Sequence, residues 1–167
     1  MRILSACIVS LIAWSGSAWG ADQFPAIEGE NLLGAKIALP EAAKGHPSVV
    51  VIGFSHASQA QTKTWSDRLD SEFKVYSIAM LQDVPRLVRP MAVGGIKSGV
   101  PQAQKDHYLL LFKSEKELKD AFAFGAPNDA YLALVAGDGT IRWRFHGPFS
   151  EESLKELKAQ AASLDGH

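Results

Sequence analysis

Apolar and polar residues change period several times along the chain, and each change marks an element. Residues 48–54, Ser-Val-Val-Val-Ile-Gly-Phe, are β-branched and continuously apolar. That is the pattern of a central strand covered on both faces. Trp65, Leu69 and Phe73 then recur every fourth residue, which predicts a helix with one apolar face. Ser58 and Gln61 stand at its start in the S-x-x-Q spacing of a capping box. Residues 74–80 form the next apolar run, so strand, helix and strand make a βαβ unit. Upstream, 35–39 alternates and is stopped by Pro40, a short strand between turns at 31–34 and 44–47. Residues 22–30 read as an irregular leader anchored by Phe24 and Pro25.

The pattern is weakest over 81–107. Arg86 to Arg89 opens at most a short helix limited by Pro90, and Gly94, Gly95, Gly99 and Pro101 break any long element. Residues 107–112 read as a strand. Ser114 and Glu117 repeat the capping-box spacing before Leu118, Ala121 and Phe122, and Gly125 closes that helix. Residues 130–135 and 141–146 are two strands joined by the hairpin turn Gly137-Asp138-Gly139-Thr140. Ser150 caps a last helix, with Glu151 and Glu152 in its first turn and Leu154, Leu157, Ala161 and Leu164 as its buried stripe.

The start of the chain has a different logic. Arg2 precedes a short apolar run to Trp14, followed by small residues to Ala21. This is the order of a secretory signal peptide, with cleavage expected after Gly20 and an exported, periplasmic or secreted domain over 21–167. The run is shorter than the roughly 20 residues a membrane span needs. Cys7 is the one cysteine in the chain, and it lies inside this segment. The exported domain is therefore expected to carry no thiol for disulfide exchange, peroxide reduction or thiolate ligation of a metal. Lys plus Arg is 17 against 18 for Asp plus Glu. That near balance gives no reason to expect nucleic acid or an anionic membrane surface as partner.

A leading strand, a βαβ unit, a helix, an antiparallel hairpin and a closing helix resemble thioredoxin topology over 24–164. The implied class is α/β, a thioredoxin-like three-layer fold with a central mixed sheet flanked by helices. That family carries its C-x-x-C just after the central strand, at a helix N-terminus that lowers the thiol pKa. Here the stretch is Ser55-His56-Ala57-Ser58-Gln59-Ala60-Gln61-Thr62. One register puts Gln59 and Thr62 at the cysteine positions, another puts Ser55 and Ser58 there, and neither supplies sulfur. The family's cis-proline before the third core strand has no direct counterpart, since Asn128 and Asp129 separate Pro127 from residue 130.

A narrower resemblance is to the mitochondrial ATP synthase assembly factor family numbered ten in yeast, which has bacterial relatives. It rests on Leu39-Pro40, Phe54-Ser55 with Trp65, Tyr131-Leu132 leading to Asp138, Ile141-Arg142-Trp143, Gly147 and the helix of Glu151, Glu152, Ser153 and Leu154. Together with the fold and the missing thiols, the resemblance implies a redox-inactive protein that binds another protein, as an assembly factor or chaperone for a membrane complex such as the ATP synthase. The loop of Ser55, His56, Ala57, Ser58, Gln59 and Thr62 is the candidate partner-binding site, with Arg142 and Arg144 as candidate secondary contacts. No catalytic residue, cofactor or metal is assigned.

Two alternatives stay open. One is a non-thiol enzyme built on Ser55, His56 and Ser58, where an oxyanion could be met at the helix start. The other is a small-ligand or metal carrier. His46, His56, His107, His146 and His167 show no H-x-x-x-H spacing. Asp67, Asp70 and Glu72 fall on the polar side of a helix and read as a solvated face. Trp65 and Trp143 read as core. An acidic residue clustered with His56 in a pocket would favour the enzyme, and an exposed apolar patch at the same end of the sheet would favour binding.

Overall fold

The computed structural model describes residues 23–164. The expected signal peptide and cleavage site, with Cys7 and His167, lie outside the described residues.

Seven strands form one mixed sheet: β1 (Ile27–Asn31), β2 (Lys36–Leu39), β3 (Ser48–Gly53), β4 (Lys74–Met80), β5 (Tyr108–Leu111), β6 (Ala130–Val135) and β7 (Ile141–His146). Their order is β2-β1-β5-β4-β3-β6-β7. β3, β4 and β5 run parallel, while β6 and β7 return antiparallel. The helices are α1 (Gln59–Leu69), α2 (Arg89–Gly99), α3 (Glu115–Ala121) and α4 (Glu151–Leu164).

Alternation along each strand sends side chains to two faces, and each face has its own cover. Val49, Val51, Val75, Leu132 and Leu134 pack with Trp65 and Leu69 of α1 and Leu157 of α4. Val50, Ile52, Tyr76, Ile78, Leu109, Leu111, Tyr131 and Ala133 pack with Leu118 and Phe122 beneath α3. β3 is buried along its length except at Gly53, as its unbroken apolar run requires. The sheet between two helical layers is the expected three-layer α/β arrangement.

Five local expectations are corrected. Residues 27–31 form a strand paired with β2 and β5. Its inward positions are Ile27, Gly29 and Asn31, so only one carries a large apolar side chain. A methyl group on Gly29 would stand 2.6 Å from Leu111 Cδ2, and only glycine lets β1 approach β5 there. Residues 89–99 form a full helix despite Pro90 and two internal glycines. Pro90 sits in the first turn, where its missing N–H would have had no helical acceptor.

Neither capping box forms. The chain enters α1 through a 3₁₀ turn, His56–Ser58, so Ser58 is already helical and its hydroxyl donates back to the Ser55 carbonyl at 2.8 Å. Gln61 Oε1 instead accepts from the Ala130 N–H at 3.0 Å. Ser114 precedes α3 in a left-handed conformation with no cap bond, and that helix ends at Ala121 with Ala123, not Gly125, in the left-handed region. Ser150 does cap α4, accepting from the Ser153 N–H at 3.1 Å.

Candidate functional site

The loop that follows the central strand is built from short polar side chains spent on backbone groups. Ser55 Oγ donates to the Pro127 carbonyl at 2.7 Å and accepts from the Ser58 N–H at 3.3 Å. Thr62 Oγ1 donates to the Gln59 carbonyl at 3.0 Å. Ser58 is fully buried, whereas His56, Ala57 and Gln59 are exposed. The loop is thereby tied to the segment that leads into β6 at two points, Ser55 to Pro127 and Gln61 to Ala130. Among the described residues the cis peptide bond precedes Pro40, and the bond before Pro127 is trans.

The His56 imidazole has no hydrogen-bond or ion-pair partner among the described residues. The histidine that meets a carboxylate is His146, at the end of β7. Its Nδ1 lies 2.8 Å from Asp129 Oδ2. Its ring stacks on Tyr131 with centroids 5.2 Å apart. The Tyr131 hydroxyl accepts from the Gly125 and Ala126 N–H groups at 3.1 and 2.8 Å, and Phe54 and Phe124 pack on the same ring. Since Gly53 pairs with Ala130 and Tyr131 with His146, this aromatic cluster sits at the same end of the sheet as the Ser55 loop.

The pairing of His146 with Asp129 was not legible in the sequence. Counting outward from the turn pairs Val135 with Ile141, which would place Tyr131 opposite Phe145. An irregularity between Leu134 and Val135 shifts the register by one and brings His146 opposite Tyr131. The aromatic run Phe122, Phe124, Tyr131 was the one available signal.

The two arginines of β7 are exposed but engaged. Arg142 Nη2 lies 4.0 Å from Asp138 Oδ2, and Arg144 Nε donates to the Ala121 carbonyl at 2.9 Å. They hold the hairpin turn and the end of α3. Trp65 is fully buried, with Nε1 donating to the Gly147 carbonyl at 3.1 Å. Trp143 is half-buried and stacks on Phe145.

Proton affinities shift outside the loop. Burial raises the Tyr108 phenol. Hydrogen bonds from Thr140, helped by the charge of Arg142, lower the Asp138 carboxyl. Hydrogen bonding to Asp120 raises Lys116. Among the described residues no three His, Cys, Asp or Glu side chains are grouped to hold a metal ion.

An exposed apolar patch lies at the same end of the sheet. Leu87, Val88 and Met91, in the segment after β4, expose 95%, 45% and 78% of their surface, and Phe112 at the end of β5 exposes 37%. Of the two discriminating features named above, the apolar patch is present, and among the described residues His56 has no acidic partner.

Solved structures share this architecture at low identity. A thiol peroxidase from Chromobacterium violaceum aligns over 85% of this chain and 87% of its own, with TM-score 0.57 and 16% identity. BsSco, a member of the Sco family of cytochrome c oxidase assembly proteins, aligns over 85% and 95%, with TM-score 0.56 and 14% identity. The exposed lipoprotein thioredoxin Etrx1 from Streptococcus pneumoniae aligns over 81% and 99%, with TM-score 0.54 and 14% identity. At these identities the likeness establishes a thioredoxin-like fold. No curated protein matches by sequence. The model of the ATP10 protein family matches residues 17–164, nearly the whole chain and every element described above, and the chain belongs to that family.

Proposed function

We propose that this protein acts by binding another protein during assembly of the ATP synthase membrane sector, is exported, and performs no thiol chemistry. The observation that carries the reading is the state of the loop after β3. Thiol-dependent members of this fold keep a reactive sulfur there, poised by a helix N-terminus. Here Ser55 and Ser58 stand in that stretch, and both hydroxyls donate to backbone carbonyls. A hydroxyl held that way lacks the adjacent base that nucleophilic serine chemistry requires. What the loop offers is a rigid surface at the carboxyl end of the central strand, where open α/β sheets present binding sites. Membership of the ATP10 family supports the ATP synthase as the complex served.

The test is genetic. Deleting the gene should reduce assembled ATP synthase membrane sector on native gels. The full chain carrying C7S should restore it as well as the wild type does. Restoration by wild type but not by C7S would make the thiol essential and overturn the redox-inactive part. Normal assembly in the deletion strain would overturn the assembly role.

A further inference from the structure

The segment between β4 and β5 differs chemically from the rest of the chain. From Val84 to Lys105 it carries four basic residues, Arg86, Arg89, Lys97 and Lys105, and no acidic residue. The near-neutral total charge conceals this. Asp83 precedes the stretch and Asp106 follows it, the latter 3.0 Å from His107. Arg86 and Lys97 are exposed.

α2 presents two unlike faces. Val93, Ile96 and Val100 pack toward Leu32, Leu81 and Leu110. Met91 on the helix's other face and Leu87 just before its start stand largely in solvent, and Val88 at its N-cap is half-exposed. The strip is held in place rather than loose: Arg89 Nε donates to the Val84 carbonyl at 2.9 Å, and its guanidinium lies 4.8 Å from the Phe112 ring centroid. Large apolar side chains standing in water beside basic ones, with no acid among them, match the chemistry of a bilayer interface.

We infer that residues 84–105 form a peripheral contact with an anionic phospholipid surface. Leu87, Val88 and Met91 enter the headgroup boundary, and Arg86 and Lys97 face lipid phosphates. The contact is interfacial; among the described residues no helix is long and apolar enough to cross a membrane. The strip and the Ser55 loop leave the sheet from the same end, because β3 and β4 are parallel and Gly53 pairs with Ala79. A protein so seated would hold the loop close to the membrane. The inference rests on exposure and charge, and stands whether or not the assembly reading does.

The experiment is vesicle flotation of purified residues 21–167. One set of vesicles is phosphatidylcholine alone, and in the other a third of the lipid is phosphatidylglycerol. Binding to the anionic set only, lost at high salt, is expected. R86Q and K97Q should each weaken it about fivefold, at roughly 1 kcal/mol per basic residue. L87S/M91S should abolish it. Those side chains stand largely in solvent, so thermal unfolding should stay unchanged and serves as the folding control. No binding to anionic vesicles overturns the inference, and so does binding that L87S/M91S leaves intact. If L87S/M91S instead removes capture of a protein partner while vesicles never bind, the strip is a protein-docking surface and the lipid assignment is wrong.

Discussion

Two segments leave the carboxyl end of the parallel strands side by side, and they are built in opposite ways. The Ser55–Thr62 loop, after β3, spends its Ser and Thr hydroxyls on backbone carbonyls and leans on the segment before β6 through Ser55 and Gln61. The 84–105 segment, after β4, keeps Leu87 and Met91 largely in solvent with Val88 half-exposed beside them, and packs only one face of its helix. The first has the rigidity of a catalytic loop without the sulfur. The second has the exposure of a contact surface. Comparing them separates two things that thiol-dependent members of this fold combine in one place, a fixed geometry and a reason to meet a partner.

The largest effect should come from the packing beneath the first segment. Trp65→Ala removes a fully buried ring that contacts Phe145 and Phe149 edge-on, so unfolding in denaturant should show a loss of about 3–5 kcal/mol. Trp143→Ala, at a half-buried position, should cost about 1–2 kcal/mol. Equal losses would mean that Trp143 is as deeply covered as Trp65, contrary to the alternating exposure of β7.

Next comes the pinning itself. Ser55→Ala removes one donor to Pro127 and one acceptor for the Ser58 N–H, and should destabilise by about 1–1.5 kcal/mol in the same assay. Faster amide exchange at Ser58 and Ala130 should accompany it. No change at either measurement would show that the loop does not depend on its hydroxyl.

The second segment should respond with the opposite sign. Gly94 and Gly95 lie inside α2, and a methyl group on either meets nothing within 4 Å. Alanine at each should stabilise by about 0.5–1 kcal/mol, because glycine loses more chain entropy on entering a helix. A destabilisation would mean that α2 is not a regular helix there.

The smallest effect belongs to His56→Ala. The imidazole is exposed and unpartnered among the described residues, so stability should change by no more than about 0.5 kcal/mol. Partner capture should nonetheless weaken. If capture is untouched while Arg142→Ala abolishes it, the binding face is β7 and not the loop.

What the sequence disclosed follows the same division. Strands covered on both faces announce themselves, since β3, β4 and β6 need apolar residues at nearly every position. β1 stayed hidden because its close approach to β5 requires glycine at an inward position and its third inward residue is Asn31. Asn31 earns that place through its side chain, which donates to the Asp106 carbonyl and accepts from the Leu33 and Ala35 N–H groups. α2 stayed hidden because proline and glycine lower local propensity, while Val93, Ile96 and Val100 supply the tertiary packing that overrides it. Ser58 stands where a helix cap belongs, yet a 3₁₀ turn placed it one step too far into the helix to cap it. The His146–Asp129 pair depends on a one-residue register shift that no periodicity encodes.

The central claim is that this thioredoxin-like protein works by binding a component of the ATP synthase membrane sector. Affinity capture of the tagged full chain from detergent-solubilised membranes, with quantitative mass spectrometry against a tag-only control, addresses it most directly. The account predicts enrichment of membrane-sector subunits over the control. Absence of every such subunit from the capture, in cells actively assembling the complex, would contradict it.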